Sequence, residues 1–189
     1  YGIFEIGMSK KGEIHQLTKI TKPEIAIITN ISEAHIENFN SIKDIAKAKA
    51  EIIDNVQEGG NIILNKNSKF FDFFYNKAIK KGIKVTSFGH FKKADIFLSN
   101  IKKHKNHYVL KVIVKNKTFY FKTKYSENNF INNILACISV MFVLDLNLNK
   151  IKQKLINFQI PEGRGDIKIV KKFNKKFKFI DESYNANPL

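Results

Sequence analysis

The sequence predicts an α/β fold: a mostly parallel sheet flanked by helices, with a small antiparallel β element. Three observations carry this. Short strand-like runs, at residues 25–28, 61–65 and 83–88, alternate with stretches of helical period. The unbroken apolar run at 25–28 suits a strand buried on both faces. Gly59-Gly60 and Gly82 stand where helical stretches give way to such runs, as expected of chain-reversing turns. From residue 94 to 122 the texture changes to short alternating runs, at 94–99, 108–114 and 118–122, the last two separated by Asn116-Lys117. That is the pattern of an antiparallel meander, expected as a side subdomain.

Taken in order, residues 2–6 read as a strand with Glu5 inside an apolar context and Gly7 after it. Residues 12–21 carry Ile14, Leu17 and Ile20 at helical spacing. With the strand at 25–28 they would form a right-handed βαβ unit. That second strand is entered through Pro23, and at its end the chain turns polar, with Thr29, Asn30 and His35 close together. A helix follows from Ser41, a favourable N-cap, with Asp44 suited to the positive helix start. Ile42, Ile45, Ala46, Ile52, Ile53 and Val56 form one stripe, and Lys49 falls near its middle, while Lys43 and Lys47 fall off it. A lysine in the buried phase is costly unless it has a partner or a task. A helix is expected over 68–81, and a long one over 127–146 with Phe130, Ile134, Leu135, Ile138, Met141 and Phe142 on one face and Asn133 near its start. A further helix covers 149–158, a loop 161–165, and a hairpin 167–170 with 177–180. These elements divide into a domain over 1–160, with the meander at 94–123 inside it, and, over 161–189, a link to and the start of a C-terminal domain.

The chain has 189 residues, enough for one well-cored domain. Its net charge is +16, from 33 basic and 17 acidic residues. Such a balance suits nucleic acid or anionic ligands. The lysines are spread along the whole chain, with no dense basic block, which disfavours a dedicated nucleic-acid role and leaves a basic nucleic-acid-binding module as the rival class. The one arginine, Arg164, lies between Gly163 and Gly165. Either its planar fork serves a phosphate contact or it is retained at a surface turn. The single Cys137 cannot form an internal disulfide and suits a reducing compartment. No signal peptide is evident, and the apolar run at 134–144 is too short to span a bilayer. The expected location is cytoplasmic, with no membrane insertion. The chain begins at Tyr1 inside a strand-like run, which suggests a piece of a longer protein.

Ligands of open α/β sheets bind beyond the carboxyl ends of the strands, so a site is expected around residues 29–35. The candidate groups are Glu5, Asn30, His35, Lys49, Asn133, Arg164 and the pair Asp181-Glu182. The metalloprotease, serine-hydrolase, dithiol and phosphate-loop motifs are all absent from the sequence. Residue chemistry alone points to an anion or nucleotide site. The plainer readings also stand: a surface or core histidine at 35, a helix-pinning Asn133 and a solvated turn at 181–182.

The sequence resembles the central domain of the Mur ligases. The stretches that carry the resemblance are Glu5-Ile6-Gly7-Met8 with Gly12-Glu13-Ile14, Thr29-Asn30-Ile31 with Ala34-His35, Ala46-Lys47-Ala48-Lys49-Ala50-Glu51, Asn133-Ile134-Leu135-Ala136, Gly163-Arg164-Gly165, and the run from Asp181 through Pro188. They occur in the family's order over nearly the whole chain. The last is the most specific to the type that adds D-alanyl-D-alanine to a UDP-N-acetylmuramoyl-tripeptide. Folylpolyglutamate synthase, a relative, lacks it. The resemblance implies a phosphate-loop-ligase fold with the phosphate loop itself missing from this chain. It implies ATP and Mg²⁺ as cofactors, with Mg²⁺ held by Glu5 and His35. It implies a carbamylated lysine at Lys49 holding a second Mg²⁺, with Lys49 and His35 as the catalytic pair. It implies ATP contacts from Asn133, Arg164 and Glu182, although related ligases often carry Asp at the last position. Thr29 and Asn30 are weaker substrate-contact candidates. The partners implied are the UDP-linked tripeptide, D-alanyl-D-alanine, and amino- and carboxy-terminal domains of the same enzyme. The alternatives are another Mur ligase or a folylpolyglutamate synthase-like ligase.

Overall fold

The computed structural model describes residues 1–32, 38–163, 166–181, 183 and 184. The chain divides into two compact units, Tyr1–Ile156 and Asn157–Leu189. The first is built on a six-stranded sheet in the order β1-β2-β3-β4-β5-β6. The strands β1 (Ile25–Ile28), β2 (Asn61–Asn65) and β3 (Lys84–Gly89) pair parallel, with Ile25 opposite Asn61 and Asn61 opposite Lys84. Strand β4 (Ile96–Lys103) joins β3 in parallel over Phe88–Ile96 and Gly89–Phe97. It then runs antiparallel to β5 (Tyr108–Val114), which pairs antiparallel with β6 (Lys117–Thr123). The meander is therefore a continuation of the main sheet. The expected side subdomain is corrected by those two β3–β4 pairs, which let one sheet carry both halves.

The helices are α1 (Glu13–Thr21), α2 (Ile42–Lys49), α3 (Glu51–Asp54), α4 (Phe71–Lys80), α5 (Asn128–Val143) and α6 (Ile151–Asn157), with a 3-10 turn at Leu148–Lys150. Their apolar faces make two cores. One joins Ile14, Ala26, Ile28, Ile45, Ala46, Ala48, Ile53, Ile62, Leu64 and Phe74. The other joins Ile63, Phe88, Ile96, Leu110, Val112, Phe121, Ile131, Leu135 and Ile138. Successive residues Ile62 and Ile63 enter different cores, as the pleat requires of a strand covered on both faces. Ser41 caps α2 as expected, its side chain accepting from the Asp44 N–H at 3.2 Å.

Residues 2–6 do not form a strand. Residues 1–8 have no regular structure, and Tyr1, Ile3 and Phe4 are exposed. A strand needs a neighbour for its N–H and C=O groups, and the sheet order gives β1 only β2. The βαβ unit expected from 2–28 is corrected to a helix and one strand. In the second unit, β7 (Asp166–Lys172) pairs antiparallel with β8 (Lys175–Asp181), as the alternation anticipates. Phe173 and Asn174 both have positive φ, at 52° and 55°, the geometry of a tight two-residue hairpin. Among the described residues no helix is long and apolar enough to cross a membrane.

Phe88, fully buried in β3, has no room to be replaced by solvent. Phe88→Ala should destabilise the first unit by about 3–5 kcal/mol, and Ser41→Ala by about 1 kcal/mol. Chemical denaturation followed by circular dichroism measures both.

Candidate functional site

The parallel strands end side by side, and their carboxyl ends are polar. Thr29 and Asn30 follow β1, Asn65 ends β2, Gly89 ends β3 and His90 follows it. A ladder of hydrogen bonds runs across them. Asn65 is buried, and its Nδ2 donates to the Thr29 carbonyl at 3.1 Å. The Asn67 N–H donates to Asn65 Oδ1 at 2.9 Å, and the His90 N–H donates to Asn67 Oδ1 at 2.9 Å. His90 Nε2 then lies 3.0 Å from Asn132 Oδ1, on the first turns of α5. With Asn132 offering its carbonyl oxygen, the ring nitrogen carries the donated hydrogen and the Asn132 amide is held in one orientation. A Cβ on Gly89 would collide with Asn67 Oδ1, so glycine is what lets the Asn67 amide lie against β3.

Of the residues singled out in the sequence, Thr29 and Asn30 lie at this edge and are exposed. Asn30 turns its Oδ1 back to accept from the Ile31 N–H at 2.9 Å. Asn133 is exposed, whereas its neighbour Asn132 is half-buried and takes part in the ladder. Glu5 is exposed in the irregular leading segment. His35, Arg164 and Glu182 lie outside the described residues, as do Ala34 and residues 185–189. Asn65, Asn67, His90 and Asn132 were not among the candidates; the rule that strand ends carry the site would have flagged Asn65 and His90.

Lys49 is the candidate with the most distinctive surroundings. It closes α2, is half-buried beside the buried Ala48 and Ala50, and has no hydrogen-bond or ion-pair partner among the described residues. Burial pushes its amine below the ordinary lysine value. Lys47, two residues earlier, points outward and pairs with Asp44 at 3.1 Å. Among the described residues no three His, Cys, Asp or Glu side chains converge on a metal position. The donor chemistry still fits a hard cation: Glu5 is a carboxylate, and a lysine amine whose pKa is lowered by burial can, in its neutral form, gain two carboxylate-like oxygens by taking up CO₂.

Comparison with known proteins bears on this geometry. Residues 1–141 match the Mur ligase middle domain. The chain belongs to the Mur ligase family. The relatives point to one type within it. The chain is 35% identical, over its whole length, to the UDP-N-acetylmuramoyl-tripeptide–D-alanyl-D-alanine ligase of Rickettsia prowazekii, and covers 41% of that protein. It is 26% identical to MurF from Acinetobacter baumannii, with a TM-score of 0.83 over 96% of this chain and 38% of that one. The MurF ligase from Thermotoga maritima, solved in complex with ADP, is 25% identical with a TM-score of 0.80 over 97% of this chain and 41% of that one. The chain thus spans about 40% of the length of the curated relatives it matches.

The lowered Lys49 value has a stability consequence whose sign is fixed. Between that value and the ordinary lysine value the folded state binds fewer protons than the unfolded chain. The cost of burying the charge is fully present below the lowered value and is lost as pH rises through the ordinary one. Lys49→Met should raise the melting temperature at neutral pH, and the gain should shrink in alkaline buffer. Thermal melts of both proteins across that range measure it.

Proposed function

We propose that these residues form the nucleotide- and metal-handling part of an ATP-dependent amide ligase that joins D-alanyl-D-alanine to a UDP-N-acetylmuramoyl-tripeptide in peptidoglycan precursor synthesis. The observation that carries the reading is Lys49: a half-buried amine, its pKa lowered by burial below the ordinary lysine value, on the helix that follows the β1 edge. The similarity to ligases that bear this name supports the choice of substrates.

In this reading ATP gives its γ-phosphoryl group to the terminal carboxylate of the tripeptide, and ADP leaves. The amine of D-alanyl-D-alanine attacks the acyl carbon, the C–O bond to phosphate breaks, and the amine proton passes to solvent or a base. The residues proposed for Mg²⁺ are Glu5, His35 and carbamylated Lys49. The ion supplies positive charge where the phosphoryl oxygens accumulate negative charge. Asn133, Arg164 and Glu182 are proposed for ATP, and Thr29 and Asn30 for substrate. The Asn132 amide, oriented by His90, joins them as a group facing the same edge. The location proposed is the cytoplasm, where ATP and the UDP-linked precursor occur together.

Lys49→Ala in the complete enzyme should reduce ligation by about a hundredfold, within the range for loss of a group acting on the reacting charge. Added small carboxylic acids should restore part of it by standing in for the carbamate. A steady-state phosphate-release assay with both substrates measures this, and unchanged activity in Lys49→Ala would remove the lysine from the mechanism.

A further inference from the structure

Helix α1 begins without a cap of its own. Gly12 stands at the N-cap with φ 94°, and no side chain of the local segment bonds the first-turn N–H groups there. The need is met from 39 residues away. Glu51, only 9% exposed, accepts the Gly12 N–H at 2.8 Å on Oε1 and 3.0 Å on Oε2, and the His15 N–H at 3.2 Å on Oε2. A buried carboxylate at a helix N-terminus is favoured both by these donors and by the helix dipole.

Glu51 opens α3, two residues after Lys49, at the bend where α2 ends on Ala50. Met8 and Ile14 pack in the same core as Ala46, Ala48, Ala50 and Ile53. The carboxylate therefore ties the end of the leading segment, which carries Glu5, to the junction that carries Lys49. Asn55 makes a second tie further along, donating to the His15 carbonyl and to Thr18 Oγ1, both at 3.0 Å. It lies six residues from Lys49, beyond α3.

We infer that Glu51 is a positioning residue for Lys49: by gripping the start of α1, it holds the α2–α3 junction in the geometry that keeps the Lys49 amine half-buried. The inference rests on the proposed role of Lys49 as a carbamate. In that step the neutral Nζ lone pair attacks the carbon of CO₂, a C–N bond forms, one C=O electron pair moves onto oxygen, and an amine proton leaves to solvent. Without the Glu51 grip the α2–α3 junction no longer holds the Lys49 side chain in one arrangement, and the carbamate loses the half-buried setting in which it is kept.

The test is the ¹³C NMR carbamate signal of the chain equilibrated with ¹³C-bicarbonate. The unsubstituted chain should show a signal that Lys49→Ala abolishes. Glu51→Ala should reduce it about tenfold, the scale on which residues that orient a metal ligand act. Glu51→Gln, which keeps one acceptor oxygen, should retain an intermediate signal. Asn55→Ala also loosens α1 from α3 and controls for stability, so it should leave the signal intact. Circular dichroism establishes that each variant is folded; if Glu51→Ala is not, the comparison of Glu51→Gln with Asn55→Ala decides. A Lys49-dependent signal that Glu51 substitutions leave unchanged, or that Asn55→Ala reduces equally, would overturn the role of Glu51 alone. Absence of the signal from the unsubstituted chain, or its survival in Lys49→Ala, would overturn the Lys49 reading and this inference with it.

Discussion

The constraint on which the rest depends is the parallel pairing of β1, β2 and β3. Parallel neighbours cannot be joined by a tight turn, so each connection must cross a face of the sheet, and both faces become buried. Ile62 and Ile63 in adjacent positions of β2 are both fully buried, one in each core. The same pairing brings all three carboxyl ends to one edge. Polar groups that cannot be satisfied within the sheet collect there, and Asn65, Asn67, His90 and Asn132 satisfy one another across it.

Charge is handled differently on the two sides of the α2 helix. Lys47 is exposed and pairs with Asp44, while Lys49 is half-buried between the buried Ala48 and Ala50. Elsewhere buried charge is compensated. Asp95 accepts from the Ser87 N–H and Oγ at 2.8 and 2.7 Å and pairs with Lys115, which together hold its carboxyl below the usual range despite burial. That cluster fastens the point where the sheet changes from parallel to antiparallel. Half-buried Lys49 has no such partner among the described residues, and burial lowers the pKa of its amine; a group perturbed in this way is a candidate for chemistry.

Much of the fold was legible because its strands and helices differ in period. The β1–β3 runs, the Ser41 cap and the long α5 face all follow from local patterning. Residues 2–6 have the composition of a strand, yet composition cannot say whether a neighbouring strand is there to bond it. The continuity of the meander with β3 was likewise hidden, since it depends on two residue pairs between segments of different texture. Lys49 was found from helical phase. The asparagine ladder was not, because an asparagine at a strand end reads as a turn residue until the register of three strands aligns it with its partners. Glu51 was equally invisible: its partners are backbone N–H groups far away in sequence.

The central claim is that this polar edge receives a nucleotide with Mg²⁺. The most direct measurement is a titration of the ¹⁵N-labelled chain with ADP and Mg²⁺, followed residue by residue by NMR. The account predicts shifts concentrated at the strand ends, in residues 29–30, 65–67, 89–90 and 132, that depend on Mg²⁺. Shifts confined instead to the lysines of the β4–β6 meander, reproduced by generic DNA and removed by salt, would contradict it.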